Sequence, residues 1–571
     1  MGVKIGSNNI GDVYVGSSKI SEIYVGNNLV YTAGGDEPIV ANQDYILNVT
    51  KETRNTYANS TTYSDKFIAF SVYGGTSGMT ITYDGITKTV SASATETITF
   101  GKYLGVDDGT ADTGDITFSG TGYVKTVSIS TGKSTSSYVN CVNSVVQYFG
   151  QNMSSWSMSG QTRLQTFKIP SHITEIPEVA FSGCTSLTTV KIPSAITRIW
   201  RAAFYGCSNL TNAKLNMSIT RINDEAFYGC SKLPYITLPN TLLSIGSKAF
   251  NGCSKITQVN IPNTTTSIGT SAFGGCTLLE VFNIGSGLVN DGYMFFLGTA
   301  SSNAILGGCW ALKEINVDAN NTDFSSVDGI LFNKNKTTLF AYPYSKQGVT
   351  SYTIPNTVTT LEMDCFYHQL VLETLTIPSS ITALPGGMCD GMYTVQNGKI
   401  GSLKTINIPS SITSFGTTCL GMVEKVYYNG TLSQYMDIST SSLIYDTSLN
   451  FNSFDLYINN TKLTQVTVNK NDINVFACTS IEKLIIASNV TSIKASAFYN
   501  CGYLTTVQFM HNDITTLATV GGASFKGQGT IPDYSTENVQ YQFVDTQANV
   551  EAWGKFTTTN FTNTTYHAYT P

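Results

Sequence analysis

Cys184, Cys207, Cys230, Cys253 and Cys276 stand 23 residues apart, and each closes the same phrase, Ala-Phe-x-Gly-Cys. A fixed period of that length is the signature of a solenoid, in which each repeat supplies one coil and stacking completes the core. Such architectures present long surfaces and seldom house chemistry, so the period bears on function as well as on fold.

One unit runs from Leu187 to Cys207. Val190, Lys191 and Ile192 alternate in, out, in, which describes a short strand. Pro193 ends it, because proline donates no backbone hydrogen bond and fits where the chain leaves the ladder. Ile196 and Ile199 face inward from the return path, and Ala203, Phe204 and Cys207 close the coil. The frame recurs from Leu164/Phe167/Ile169 through Leu233/Ile236/Leu238 to Leu312/Ile315/Val317, and returns at Leu372/Leu375/Ile377, Leu403/Ile406/Ile408, Ile481/Leu484/Ile486 and Leu504/Val507/Phe509. Degenerate coils at Val349 to Ile354, Val423 to Tyr427 and Leu463 to Val468 fill the gaps. The expected total is about fourteen rungs, a stack roughly 65 Å long at a strand spacing of ~4.8 Å.

Spelled out, Ile-Pro-x-x-(Ile/Val)-Thr-x-Ile-(Gly/Trp)-x-x-Ala-Phe-x-Gly-Cys resembles the BspA-like class of leucine-rich repeat, over roughly residues 140 to 515. The stretch Asn321 to Pro343 resembles the irregular repeat that interrupts such arrays. The resemblance implies adhesins and other binding proteins, and brings no common active site with it.

The chain has 12 cysteines and only 4 histidines, with no CxxC pair. Five cysteines at one position of one unit read as a ladder of free, buried thiols rather than as disulfides or zinc ligands. No cofactor or metal is expected. Charged residues make up 12% of the 571 and the net charge is −6, which argues against nucleic acid as a partner. No run of eighteen apolar residues stands ready to enter a membrane.

The N-terminus carries a second repeat, of period ten: Ile10 to Gly16, Ile20 to Gly26, then Leu29-Val30-Tyr31. Each is a short alternating strand closed by a glycine turn. Residues of this kind cannot make an independent core, so a partner or copies of themselves, as in a trimer, should complete them. A leader hairpin packed on the next domain is the alternative. The segment resembles the start of tail- and fibre-associated virion proteins of gut bacteriophages, and Met1 to Ile10 lacks the apolar region of a signal peptide. The leading expectation is therefore a non-enzymatic virion protein, attached through its N-terminus to other virion proteins and binding a host-surface glycan or protein. The alternatives are a BspA-like adhesin at the bacterial cell surface and, more remotely, a polysaccharide depolymerase.

The expected fold is mainly β, in four parts: decad repeats over 1–35, an immunoglobulin-like β-sandwich over 36–136, the solenoid over 137–515, and a C-terminal cap over 516–571, with a helix from Val550 to Phe556. Strands are expected at Phe67 to Tyr73, Met79 to Tyr83, Thr97 to Phe100 and Val124 to Ile129.

Candidate chemistry is sparse. Asp107 to Asp115 holds carboxylates enough for calcium but lacks the ligand spacing of an EF-hand, and reads as a polar hairpin. Asp318, Asp323 and Asp328 belong to the turn phrase of the irregular repeat rather than to a glycosidase pair. His172, His368, His511 and His567 form no triad. More informative is the outward strand position, which carries Lys168, Lys191, Lys214, Thr237, Asn260, Asn283 and Asn316. Lysines stacked at ~4.8 Å repel by roughly 1 kcal/mol per neighbour in water. They mark either a surface for an anionic partner or a solvated face. Arg198 and Arg221 add two charges on another face. Trp200, where the equivalent coils have Gly246 and Gly269, either stacks on a sugar or packs against Tyr205 or a neighbouring coil.

Overall fold

The computed structural model describes residues 173–290 and 303–389 without interruption, most of 158–172, 402–440 and 454–520, and elsewhere the strands and single positions named below. They belong to two compact units, 1–291 with 300–309, and 292–299 with 310–571.

The first unit begins with two antiparallel hairpins, Tyr14–Val15 with Ser18–Lys19 and Glu22–Val25 with Asn28–Thr32. The next strands separate into two antiparallel groups. Tyr45–Lys51, Thr113–Gly120, Met79–Tyr83 and Ile86–Val90 pair in that order, and Lys66–Tyr73 lies between Tyr123–Thr131 and Thr95–Phe100. The four strands expected from alternation are all present. How the two groups face one another, the immunoglobulin-like detail, lies outside the described residues, as does the polar stretch from Asp107 to Asp112. Val139–Val145 then pairs antiparallel with Tyr45–Lys51 on one side and parallel with Thr166–Lys168 on the other. One strand thus serves both as the border of the N-terminal sheet and as the first rung of the solenoid.

From there the coils of this unit build three parallel ladders. The first links Thr166–Lys168, Thr189–Lys191 and Asn212–Lys214, and resumes at Gln258–Asn260 with Val281–Ile284. The second links Glu175–Ile176, Arg198–Ile199, Arg221–Ile222, Ser244–Ile245 and Ser267–Ile268. The third runs through the Ala-Phe-x-Gly-Cys turn, where Phe181 N–H donates to Ala203 and Gly183 N–H to Tyr205, both at 2.7 Å, with the same bonds one and two coils on. The glycine of the phrase has φ of 69 to 76° at Gly183, Gly206, Gly229, Gly252 and Gly275, a region where a Cβ is strained. Its conformation brings the chain back toward the next strand.

The core is built column by column. Phe181, Phe204, Phe227, Phe250 and Phe273 stack at centroid distances of 5.0 to 5.2 Å with planes within 10°, and all five are fully buried. Cysteine suits its position because the thiol is small and has one weak donor. The Cys207 thiol donates to the Phe181 carbonyl at 3.1 Å, Cys230 to Phe204 at 3.3 Å, and Cys253 to Phe227 at 3.2 Å. The ten described cysteines are buried thiols outside any disulfide. Threonine hydroxyls do the same at the rim, Thr197 donating to the Thr174 carbonyl at 3.3 Å and Thr220 to Thr197 at 3.2 Å.

One coil departs from expectation. Leu233, Ile236 and Leu238 are buried as their frame requires, yet residues 233–239 form no strand. The equivalents of Pro234 donate their N–H to the preceding coil: Thr188 to Gln165 at 3.1 Å, Thr211 to Thr188 at 2.8 Å and Glu280 to Thr257 at 2.8 Å. Proline has no N–H to donate, so the inward pattern survives while the ladder is interrupted.

In the second unit, the irregular repeat is an antiparallel meander of Phe324–Val327, Ile330–Asn333 and Thr338–Ala341, turning at Asp328 and Gly329 with φ of 49 and 74°. Thr338–Ala341 rejoins parallel stacking with Thr360–Leu361. A sheet then runs through Ser351–Thr353, Thr374–Thr376, Thr405–Pro409, Lys425–Asn429 and Asp455–Ile458, and another through Gln465–Val468, Lys483–Ile486 and Thr506–Phe509. The latter does not stop at residue 515. Gln540–Phe543 and Tyr566–Ala568 continue it in parallel, and Phe543 stacks on Phe509 at 4.9 Å, so part of the expected cap is further rungs. The helix expected over Val550 to Phe556 lies outside the described residues. A helix that periodicity missed, Leu432–Asp437, starts at a capping box between Thr431 and Gln434.

Candidate binding face

The first ladder of the first unit has one side in the core and one in water. Register sets Lys168, Lys191 and Lys214 opposite one another on adjacent coils, with the Lys168 side chain itself outside the described residues. Lys191 and Lys214 are exposed, and so are Thr189 and Asn212 two positions earlier. In the interrupted coil the same two columns continue as Tyr235 and Thr237, and beyond it as Gln258 and Asn260. Asn283 donates its amide to the Asn260 Oδ1 at 2.6 Å, and Gln258 donates to that same oxygen at 3.1 Å. From Thr189 to Asn260 no outward position of these columns is acidic.

Tyr235 is the residue that reading by repeat missed. Its side chain is 58% exposed, in the one coil of this stretch without a strand, between Asn212 and Gln258 in the repeat register. A bulky aromatic ring on a polar, cationic face is the combination that binds planar or apolar ligand surfaces while hydrogen bonds orient them. Its signal was in the sequence at two residues before Thr237, a column whose neighbouring members Thr189, Asn212 and Gln258 are small or amide side chains.

The second face is organised differently. Arg198 and Arg221 are in register, but Arg198 lies 4.0 Å from Glu175 of the preceding coil and over the Trp200 ring at 4.6 Å. The Trp200 indole N–H donates to the Glu175 carboxylate at 2.8 Å, so the tryptophan is half-buried in its own coil pair. Tyr205 stacks instead on Tyr228 at 4.7 Å. At Gly246 an added Cβ would lie 2.4 Å from the Asp224 backbone nitrogen, so that coil has no room there for a side chain like that of Trp200. Unforeseen was a charge ladder at the same period: Arg201 pairs with Glu178 at 2.6 Å and with Glu225 at 3.4 Å. On this face Arg198 and Arg201 lie beside carboxylates of neighbouring coils, whereas the two columns of the first ladder carry no acidic residue from Thr189 to Asn260.

The other candidates are spent on structure. The Asp318 carboxylate accepts from the Asn320 N–H at 2.8 Å and that of Asp323 from the Thr322 hydroxyl at 3.0 Å, each within its own turn. His368 is buried against Trp310, and His511 contacts the Val490 carbonyl at 2.7 Å. The His172 and His567 side chains lie outside the described residues. Among the described residues no three His, Cys, Asp or Glu side chains gather closely enough to hold a metal ion, and no helix is long and apolar enough to cross a membrane.

Similar solved structures are leucine-rich repeat proteins of low identity. The pneumococcal vaccine antigen PcpA is 18% identical, with TM-score 0.45, over 75% of this chain and 95% of its own. A Bacteroides ovatus leucine-rich repeat protein is 19% identical, with TM-score 0.40, over 79% and 95%. A leucine rich cell surface protein from Faecalibacterium prausnitzii is 23% identical, with TM-score 0.37, over 56% and 94%. No curated protein matches the chain. The family model of the BspA type leucine rich repeat region matches residues 151–280, 197–327, 313–426, 337–463 and 402–532, which together span more than half of the sequence. With the coil geometry and these matches in agreement, the chain belongs to the BspA-type leucine-rich repeat family.

Proposed function

We propose that this chain is a non-enzymatic adhesin of bacterial kind, displayed at the cell surface, whose outward strand positions bind a surface partner. The observation that carries the reading is the division of labour in each coil. Every cysteine, phenylalanine and inward aliphatic of the unit serves the stack, and the first ladder turns Lys191, Lys214, Asn212, Gln258 and Asn260 to water. Membership in the BspA-type family supports the same reading, since adhesins and binding proteins are what that resemblance implies. A test is saturable binding of the purified chain to host epithelial cells or mucin, together with an assay for new reducing ends on capsular polysaccharide. Binding without cleavage is the expected result, and cleavage at catalytic rates would replace the adhesin with a depolymerase.

A second reading, a bacteriophage fibre or tail-associated protein localised to the virion, rests on the decad repeats and on the two short N-terminal hairpins, which a particle or a trimer would complete. Flanking portal, capsid or tail genes and a trimeric mass in solution would favour it. A monomer encoded among surface-protein genes would favour the adhesin.

A further inference from the structure

We infer that the Tyr235 side chain is the centre of a saccharide subsite, selective for glycans that carry carboxylates. This rests on the surface-binding reading above and names its ligand. Three features of the first ladder converge. The Tyr235 side chain is 58% exposed, and the described residues offer it neither a stacking ring nor a hydrogen-bond partner, so its face is open to the C–H surface of a pyranose. In the repeat register it stands between the exposed amides of Asn212 and Gln258, with Asn260 beyond, groups that donate to and accept from sugar hydroxyls. Lys214 follows Asn212 by two residues on the adjacent coil, in register with Lys191, and from Thr189 to Asn260 no position of these two columns is acidic. Charge complementarity therefore favours a uronate or sialate over a neutral sugar.

Pro234 precedes the aromatic residue directly. It interrupts the ladder at this coil alone among its neighbours, and the interruption marks the step from lysine rungs to amide rungs. A chain of sugars laid along the coils would place carboxylates against Lys191 and Lys214 and hydroxyls against Gln258 and Asn260, with one ring on Tyr235.

The test uses the full chain and two carboxylated probes from different sources, polygalacturonate and polysialic acid, with dextran as the neutral control. Binding is read by titration calorimetry at low and high salt. Wild type is expected to bind at least one carboxylated probe and not dextran. Y235A is expected to lose about tenfold or more in affinity, Y235F to stay within about twofold, and K191Q/K214Q to weaken binding and flatten its salt dependence. Because Tyr235 is exposed, unchanged melting of Y235A shows that the loss is local. Equal affinity of Y235A and wild type for a probe that K191Q/K214Q no longer binds would leave a plain electrostatic surface and overturn the subsite. So would binding to dextran as tight as to either polyanion. Cell binding that survives Y235A and glycosidase treatment but not protease treatment points to a protein receptor; it overturns the subsite and leaves the adhesin standing. Absence of all cell and mucin binding counts against the adhesin itself.

Discussion

The coil forces certain residues into conformations that their side chains resist. Val179, Ala202, Glu225, Lys248 and Ser271, again one per repeat, have φ between 52 and 57°. The turn imposes this because the N–H of each must reach a carbonyl of the following coil, as Ala202 does to Asp224 at 2.9 Å and Lys248 to Thr270 at 2.9 Å. Left-handed backbone costs a residue with a Cβ roughly 1–2 kcal/mol, and glycine escapes that cost while giving back about 0.5–1 kcal/mol in chain entropy. Lys248 is exposed, so Lys248→Gly is expected to stabilise the protein by about 0.5 kcal/mol, seen as a raised melting temperature. Ala203→Gly, at a buried position outside the left-handed set, should lower it. Equal effects at both sites would mean that the positive φ is not strained.

At the scale of the element, stability is passed from coil to neighbouring coil. Phe227 contacts Phe204 and Phe250 at 5.0 and 5.2 Å and is fully buried, so Phe227→Ala is expected to cost about 3–5 kcal/mol. In a one-dimensional stack the damage should stay local, with amide exchange accelerated in the coils that carry Phe204, Phe227 and Phe250 and unchanged beyond Trp310. Loss of protection throughout would show the stack to be one cooperative block. The opposite change is available at the interrupted coil. P234T restores a donor toward the Thr211 carbonyl and should add about 0.5–1.5 kcal/mol, with slower exchange from Tyr235 to Leu238 as its mark. The two sites also show what the sequence could and could not disclose. Inward residues such as Leu233, Ile236 and Leu238 were legible because packing tolerates few substitutes at a period of 23, and they are buried as expected. The missing rung was not, because a single N–H carries no hydropathy. Nor were the Trp200 to Glu175 bond and the Glu178, Arg201 and Glu225 chain, since exposed charges look unpatterned inside one unit and pair only across coils.

For the molecule as a whole, the thiol ladder ties stability to pH. Burial pushes the Cys207 and Cys419 thiols up to about 12, from an ordinary value of 9.0. Burial likewise holds Cys230, Cys253, Cys309 and Cys365 well above that ordinary value. These groups belong to both units, and all of them are acids that the folded chain keeps neutral. Above about pH 9 the unfolded chain loses thiol protons that the folded chain retains, so the unfolded state binds fewer protons and stability must fall as pH rises. The contribution is complete below the ordinary thiol value and declines from there toward about pH 12. Tyr342, also pushed up to about 12 by burial, adds to the decline only above its ordinary 10.0. The interval between about pH 9 and pH 10 is therefore the thiols' own, and the melting temperature should fall across it after a plateau from about pH 7 to pH 8.5. C230A/C253A is expected to melt lower at neutral pH, from lost packing and lost bonds to the Phe204 and Phe227 carbonyls, yet to show a shallower alkaline decline. Iodoacetamide should leave wild-type cysteines of the stack unmodified across the same interval until the chain unfolds, since access and ionisation are both withheld. A melting temperature that stays flat to about pH 10, or native-state alkylation of Cys230 or Cys253, would show that these thiols are not held neutral in the stack, and would reopen the question of whether the column has chemistry of its own.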